Sequence, residues 1–169
     1  MQVGDGRPSY DELAALVATQ AQVIEELRAR VAALEAAVAA APEPPVLVAH
    51  SLACLLVPVW AAESSLPVAG AMLVAPVDPD AEAFPEAAAE FTEFPREPLA
   101  FPSLVVGSLN DHYASEGYAR GFAADLGADF VVAGALGHIN ADSGLGDWPQ
   151  GREFLARLGG GSGRAEHDV

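Results

Sequence analysis

From Leu13 the apolar positions fall in alternating steps of four and three, at Leu13, Val17, Ile24, Leu27, Val31, Leu34 and Val38, with Gln20 as the polar intruder on the stripe. That spacing predicts one long helix with a heptad seam, opened by the capping box Ser9-Tyr10-Asp11-Glu12 and stopped by Pro42-Glu43-Pro44-Pro45. β-Branched residues (Val17, Ile24, Val31, Val38) take one seam position and leucines the other, a choice that favours a parallel two-stranded coiled coil. Arg30 and Glu35 flank the seam, where an interchain pair can form. At roughly 1.5 Å per residue the helix reaches about 45 Å, too long for one small sheet, so its first half is expected to project. For residues 29–41 the alternative is an apolar stripe that packs on the sheet that follows.

Beyond the prolines the periodicity changes. Short apolar runs at 45–49, 68–75, 101–107 and 129–133 read as strands, and 52–64, 115–126 and 149–158 read as helices between and after them. Repeated βα units with continuously apolar strands predict an α/β fold: a parallel sheet of about four strands with right-handed crossovers and helices mainly on one side. A proline-rich acidic segment, 79–100, interrupts the progression and is expected to form part of any acyl pocket. The domain division that follows is a flexible leader and long helix over 1–41, an α/β domain over 42–158, and a disordered tail over 159–169.

Composition narrows the possibilities further. With 169 residues, about half of them apolar, the chain has the size of one domain with a true core. Its single cysteine, Cys54, excludes an internal disulfide, and without a signal-peptide pattern at the start the expected compartment is the cytoplasm. No apolar run approaches the roughly 20 residues of a membrane span. A net charge of −16, with all eight basic residues arginine, argues against nucleic-acid partners, which are held by neutralising phosphates.

The candidate chemistry begins where the first strand stops. In Val46-Leu47-Val48-Ala49-His50-Ser51-Leu52-Ala53-Cys54 a strand meets a serine and continues as a helix, the strand–turn–helix arrangement that exposes a nucleophile. Alanines at 49 and 53 stand where the G-x-S-x-G pattern has glycines. Read alone, a serine in the place of Ser51 is more often an N-cap than a nucleophile. Reactive residues of an open parallel sheet collect past the carboxyl ends of its strands. There the third strand runs into Ser108-Leu109-Asn110-Asp111 and the fourth into Gly134-Ala135-Leu136-Gly137-His138. Asp111 can be a turn residue and His138 a loop histidine, yet the chain order Ser, Asp, His is that of an α/β-hydrolase. A metal site built on His138 and Asp111 is disfavoured, because no H-x-x-x-H or Cys/His cluster accompanies them.

The run from Gly137-His138-Ile139-Asn140 through Ser143-Gly144, Gly146, Trp148-Pro149 and Gly151 resembles the signature of small serine hydrolases related to retinoblastoma-binding protein nine. The resemblance covers about residues 29–158 and includes His50-Ser51-Leu52 with Cys54, Ala75-Pro76, Phe101-Pro102-Ser103 and Ser108-Leu109-Asn110-Asp111. It implies a truncated α/β-hydrolase fold that cleaves small acyl esters or amides without a cofactor, with Ser51 as nucleophile, His138 as base and Asp111 as acid. Residues 8–31 resemble the coiled-coil leader of certain insertion-element transposases.

The family's oxyanion hole takes one N–H from the residue after the nucleophile, here Leu52, and one from a loop after an earlier strand. No such strand is predicted before Pro42. Val46–Val48 is then expected to form an exposed apolar edge, and a homodimer through that edge or the N-terminal helix is the expected partner arrangement. Two functions remain open: a carboxylesterase-like serine hydrolase, or a noncatalytic hydrolase remnant joined to a coiled-coil oligomerisation helix.

Overall fold

A computed structural model describes residues 29, 32–33, 35–84, 88 and 92–159. The chain divides into two compact units, Met1–Pro42 and Glu43–Val169. In the first, residues 35–40 are helical and none of their side chains is buried. Val38 is the one seam residue described; the capping box, the rest of the heptad seam and the stretch resembling a transposase leader lie outside the described residues apart from Ala29. So does the predicted tail from residue 160.

The second unit is built on four parallel strands in the order β1-β2-β3-β4: β1 (Val46–His50), β2 (Gly70–Val74), β3 (Ser103–Gly107) and β4 (Asp129–Val132). Helices α1 (Ala53–Glu63) and α2 (Glu116–Asp125) follow β1 and β3, and α3 (Pro149–Gly159) follows β4. The two central strands are buried at every position, which is why Gly70-Ala71-Met72-Leu73-Val74 and Ser103-Leu104-Val105-Val106-Gly107 carry no polar alternation. Among the described residues β1 and β4 are the edges, and the predicted apolar edge is seen at Val48, 57% exposed.

Strand pleating divides the core in two. Ala71, Leu73 and Val105 face α1 and α2, where Cys54, Leu55, Phe122 and Leu126 pack. Met72, Val74, Leu104 and Val106 face the other way, onto Phe154 and Leu158 of α3. Helices therefore cover both faces, two on one side and one on the other.

Trp148 enters α3 in a left-handed conformation (φ 43°), and its indole meets Phe154 edge-on with centroids 6.3 Å apart. The indole lies so close over Gly151 that a Cβ there would overlap it. Gly151→Ala is expected to displace the indole and destabilise the domain by about 1–3 kcal/mol, the usual scale of overpacking, seen as a lower urea midpoint.

Candidate active site

β1 ends one residue before Ser51, whose φ of 60° turns the chain from strand to helix at a single position. The turn is fixed at both ends: the Ser51 N–H donates to the Val74 carbonyl at 3.0 Å, and the Ser51 carbonyl accepts from the Cys54 N–H at 3.0 Å. A left-handed backbone at a residue with a Cβ costs about 1–2 kcal/mol and persists where its surroundings impose it. The N-cap of α1 is Leu52, not Ser51, so the capping alternative for the serine is excluded. The flanking alanines fit the elbow, because Ala53 faces outward and Ala49 packs into the core beside α1.

The other two polar groups arrive from the ends of β3 and β4. The His138 Nδ1–H donates to Asp111, 2.9 Å from Oδ2 and 3.1 Å from Oδ1. A carboxylate only accepts, so this contact puts the imidazole proton on Nδ1 and leaves the Nε2 lone pair free. That lone pair accepts from the Ser51 hydroxyl at 2.8 Å. The His138 and Asp111 side chains are 7% and 3% exposed, so their pair is shielded from water. The turn alternative for Asp111 also holds, since its Oδ1 accepts the Tyr113 N–H at 2.9 Å. Ser51, Asp111 and His138, 87 residues apart at the extremes, thus form one hydrogen-bonded line.

The backbone N–H of Leu52, the residue after Ser51, has no hydrogen-bond partner among the described residues. Because β1 is an edge among those residues, no described strand on its far side supplies a second donor. Around the imidazole stand the rings of His50 and Tyr113, with centroids 4.9 and 4.5 Å away.

Several polar contacts were not legible as functional in the sequence. The His50 Nε2–H donates to the His138 carbonyl at 2.8 Å. Asn110 Oδ1 accepts from the Gly137 N–H at 2.7 Å and from the Ser108 hydroxyl at 3.1 Å, while Ser108 Oγ accepts from the Leu136 N–H at 3.0 Å. The Ser143 hydroxyl donates to the Leu136 carbonyl at 2.5 Å. His50, Ser108, Asn110 and Ser143 all stand inside the quoted motifs, and only that position hinted at them.

A cavity of about 370 Å³ opens beside His138, lined by His112, Leu136, Asn140, Asp142 and Ser143. Of the proline-rich segment, 79–84, 88 and 92–100 are described. Asp78, just ahead of it, donates its N–H to the Tyr113 carbonyl at 3.0 Å, near the active-site end. Pro95 and 97–100 line a separate cavity of about 410 Å³ with Trp60, Leu66 and Pro67, at the opposite end of the sheet. Among the described residues no three His, Cys, Asp or Glu side chains gather as a metal-ligating group, and no helix is long and apolar enough to cross a membrane.

Cys54, in the first turn of α1, is fully buried, and its thiol donates to the Val74 carbonyl at 3.3 Å. Burial pushes the thiol far above its ordinary range, so the reactive thiolate is absent at neutral pH. The native protein is expected to resist an aromatic disulfide reagent that reacts promptly once guanidinium chloride unfolds the chain.

Comparison with known proteins places the family and the fold. A family model described as serine hydrolase matches residues 11–157, starting ahead of residue 29, where the motif resemblance begins. No curated protein matches the chain. Among solved structures, a YdeN-like hydrolase from Pectobacterium atrosepticum has a TM-score of 0.64 at 29% identity, covering 76% of this chain and 66% of its own. The chain therefore spans just under two thirds of that hydrolase's length. Est816, described as an N-acyl homoserine lactone degrading enzyme, has a TM-score of 0.53 at 16% identity, with 76% and 71% covered, and shares the fold. With the family model running through every strand of the sheet and well over half of the sequence, this chain belongs to the serine hydrolase family.

Proposed function

We propose that the protein hydrolyses small acyl esters by covalent catalysis, with Ser51 as nucleophile, His138 as general base and then acid, and Asp111 as the group that orients and stabilises the imidazolium. The observation that carries this is the 2.8 Å contact from the Ser51 hydroxyl to His138 Nε2 at a left-handed elbow. Attack forms the bond from Ser51 Oγ to the acyl carbon as the hydroxyl proton passes to Nε2. His138 returns that proton to the departing alkoxide, and water, deprotonated in turn by Nε2, releases the acid and restores the serine. The Leu52 N–H steadies the tetrahedral oxyanion. The motif resemblance to hydrolases related to retinoblastoma-binding protein nine supports the same roles and a small acyl substrate.

Among the described residues one oxyanion donor stands in place of two, which costs about 10²–10³ in turnover, so modest rates are part of the proposal. That shortfall also marks where the alternative lies, a folded remnant with a coiled-coil helix and no turnover. A series of p-nitrophenyl esters from acetate to octanoate tests the two together with a fluorophosphonate probe. Hydrolysis favouring the short esters, with labelling at Ser51, supports the enzyme; a folded protein that neither hydrolyses nor labels overturns it.

A further inference from the structure

The turn that carries His138 has little sheet to hold it. It follows β4, an edge among the described residues, and bends through two left-handed positions, Gly137 at φ 60° and Ile139 at φ 48°. One backbone bond closes it internally, from the Ile139 N–H to the Leu136 carbonyl at 3.3 Å. Four side chains bond to it as well: Asn110 to the Gly137 N–H, Ser108 to the Leu136 N–H, Ser143 to the Leu136 carbonyl and His50 to the His138 carbonyl.

Two of these side chains stand next to the reacting residues in sequence. His50 immediately precedes Ser51, and Asn110 immediately precedes Asp111. Their bonds, at 2.8 and 2.7 Å, grip the His138–Ile139 and Leu136–Gly137 peptide units, which bracket the Gly137–His138 unit. We infer that His50 and Asn110 are positioning residues that clamp the base-bearing turn from the nucleophile side and the acid side. The inference rests on the roles proposed for Ser51, His138 and Asp111. A displacement of about 1 Å in such a constellation costs on the order of 10² in rate, so loosening either bond disturbs turnover more than substrate binding.

Each grip has a conservative replacement that keeps the hydrogen bond. Asn110→Asp retains an oxygen that accepts from the Gly137 N–H and the Ser108 hydroxyl, and Asn110→Ala removes it. His50→Gln places an amide donor near the position of Nε2, and His50→Leu removes it. Two readouts are taken on proteins of verified fold. The first is the downfield proton resonance of the His138 Nδ1–H, which reports the contact with Asp111 whether or not the protein turns over. The second is kcat and KM for p-nitrophenyl acetate.

The expected result is a broadened or lost Nδ1–H signal in Asn110→Ala and His50→Leu, with kcat down about 10–100-fold and KM within about threefold. Asn110→Asp and His50→Gln are expected to restore the signal and most of kcat. An unaltered Nδ1–H signal in both deletion variants overturns the clamp, as does a loss of equal size in the conservative variants. If the resonance responds as expected while the wild-type protein neither labels nor hydrolyses, the clamp stands and the hydrolase proposal falls.

Discussion

Ser51→Ala is expected to abolish fluorophosphonate labelling and to lower p-nitrophenyl acetate turnover by about 10³–10⁴. A triad serine with a full oxyanion hole is worth about 10⁶ in kcat. Here the Leu52 N–H is the donor found among the described residues, and a hole without its second donor loses about 10²–10³ of that figure. The variant should fold as the parent does, because the Ser51 backbone bonds to Val74 and Cys54 do not involve the side chain. Ser51→Gly sharpens the test. The φ of 60° is imposed on a residue with a Cβ, and glycine removes that strain, so this variant should be unreactive and yet more stable by about 1 kcal/mol in urea. Activity that survives both substitutions would remove Ser51 from the chemistry. A glycine variant less stable than the parent would remove the strain argument.

Much of this arrangement was legible before the structure, for reasons that differ between elements. β2 and β3 are buried on both sides, so their residues form unbroken apolar runs bounded by Pro, Ser and Gly, and such runs announce themselves. The same burial hides which face each helix covers. Nothing in Met72 or Leu73 says that one meets α3 and the other α1 and α2, and α1, apolar all round as Ala-Cys-Leu-Leu-Val-Pro-Val-Trp, offers no stripe to read. Ser51, Asp111 and His138 were legible because parallel topology delivers strand ends to one edge, making chain order informative. His50 and Asn110 were not, because their partners are backbone groups 88 and 27 residues away, and a contact between a side chain and a distant peptide leaves no periodicity. For residues 79–100 the composition marks a loop but not the end of the sheet to which its return leads.

Asp111→Asn is expected to cut turnover by about 10³–10⁴ while leaving stability within about 1 kcal/mol of the parent. The carboxylate holds two partners at once: Oδ1 accepts the Tyr113 N–H at 2.9 Å, and Oδ2 lies 2.9 Å from His138 Nδ1. An asparagine that keeps its oxygen on the Tyr113 N–H must turn its NH₂ toward Nδ1. That NH₂ can only donate, so Nδ1 gives up its proton and Nε2 takes it. The Nε2–H then faces Ser51 and cannot accept the hydroxyl proton, so the serine loses its base although every heavy atom stays in place. Asp111→Ala loses the Tyr113 contact as well, and the loop after β3 should loosen, with a stability loss of about 1–3 kcal/mol from the stranded N–H and imidazole. The pair of variants separates the two duties of one side chain. Equal stability losses in both would remove the Tyr113 contact from the account of the turn, and an asparagine variant that labels within tenfold of the parent rate would show that the tautomer of His138 is set by something other than Asp111.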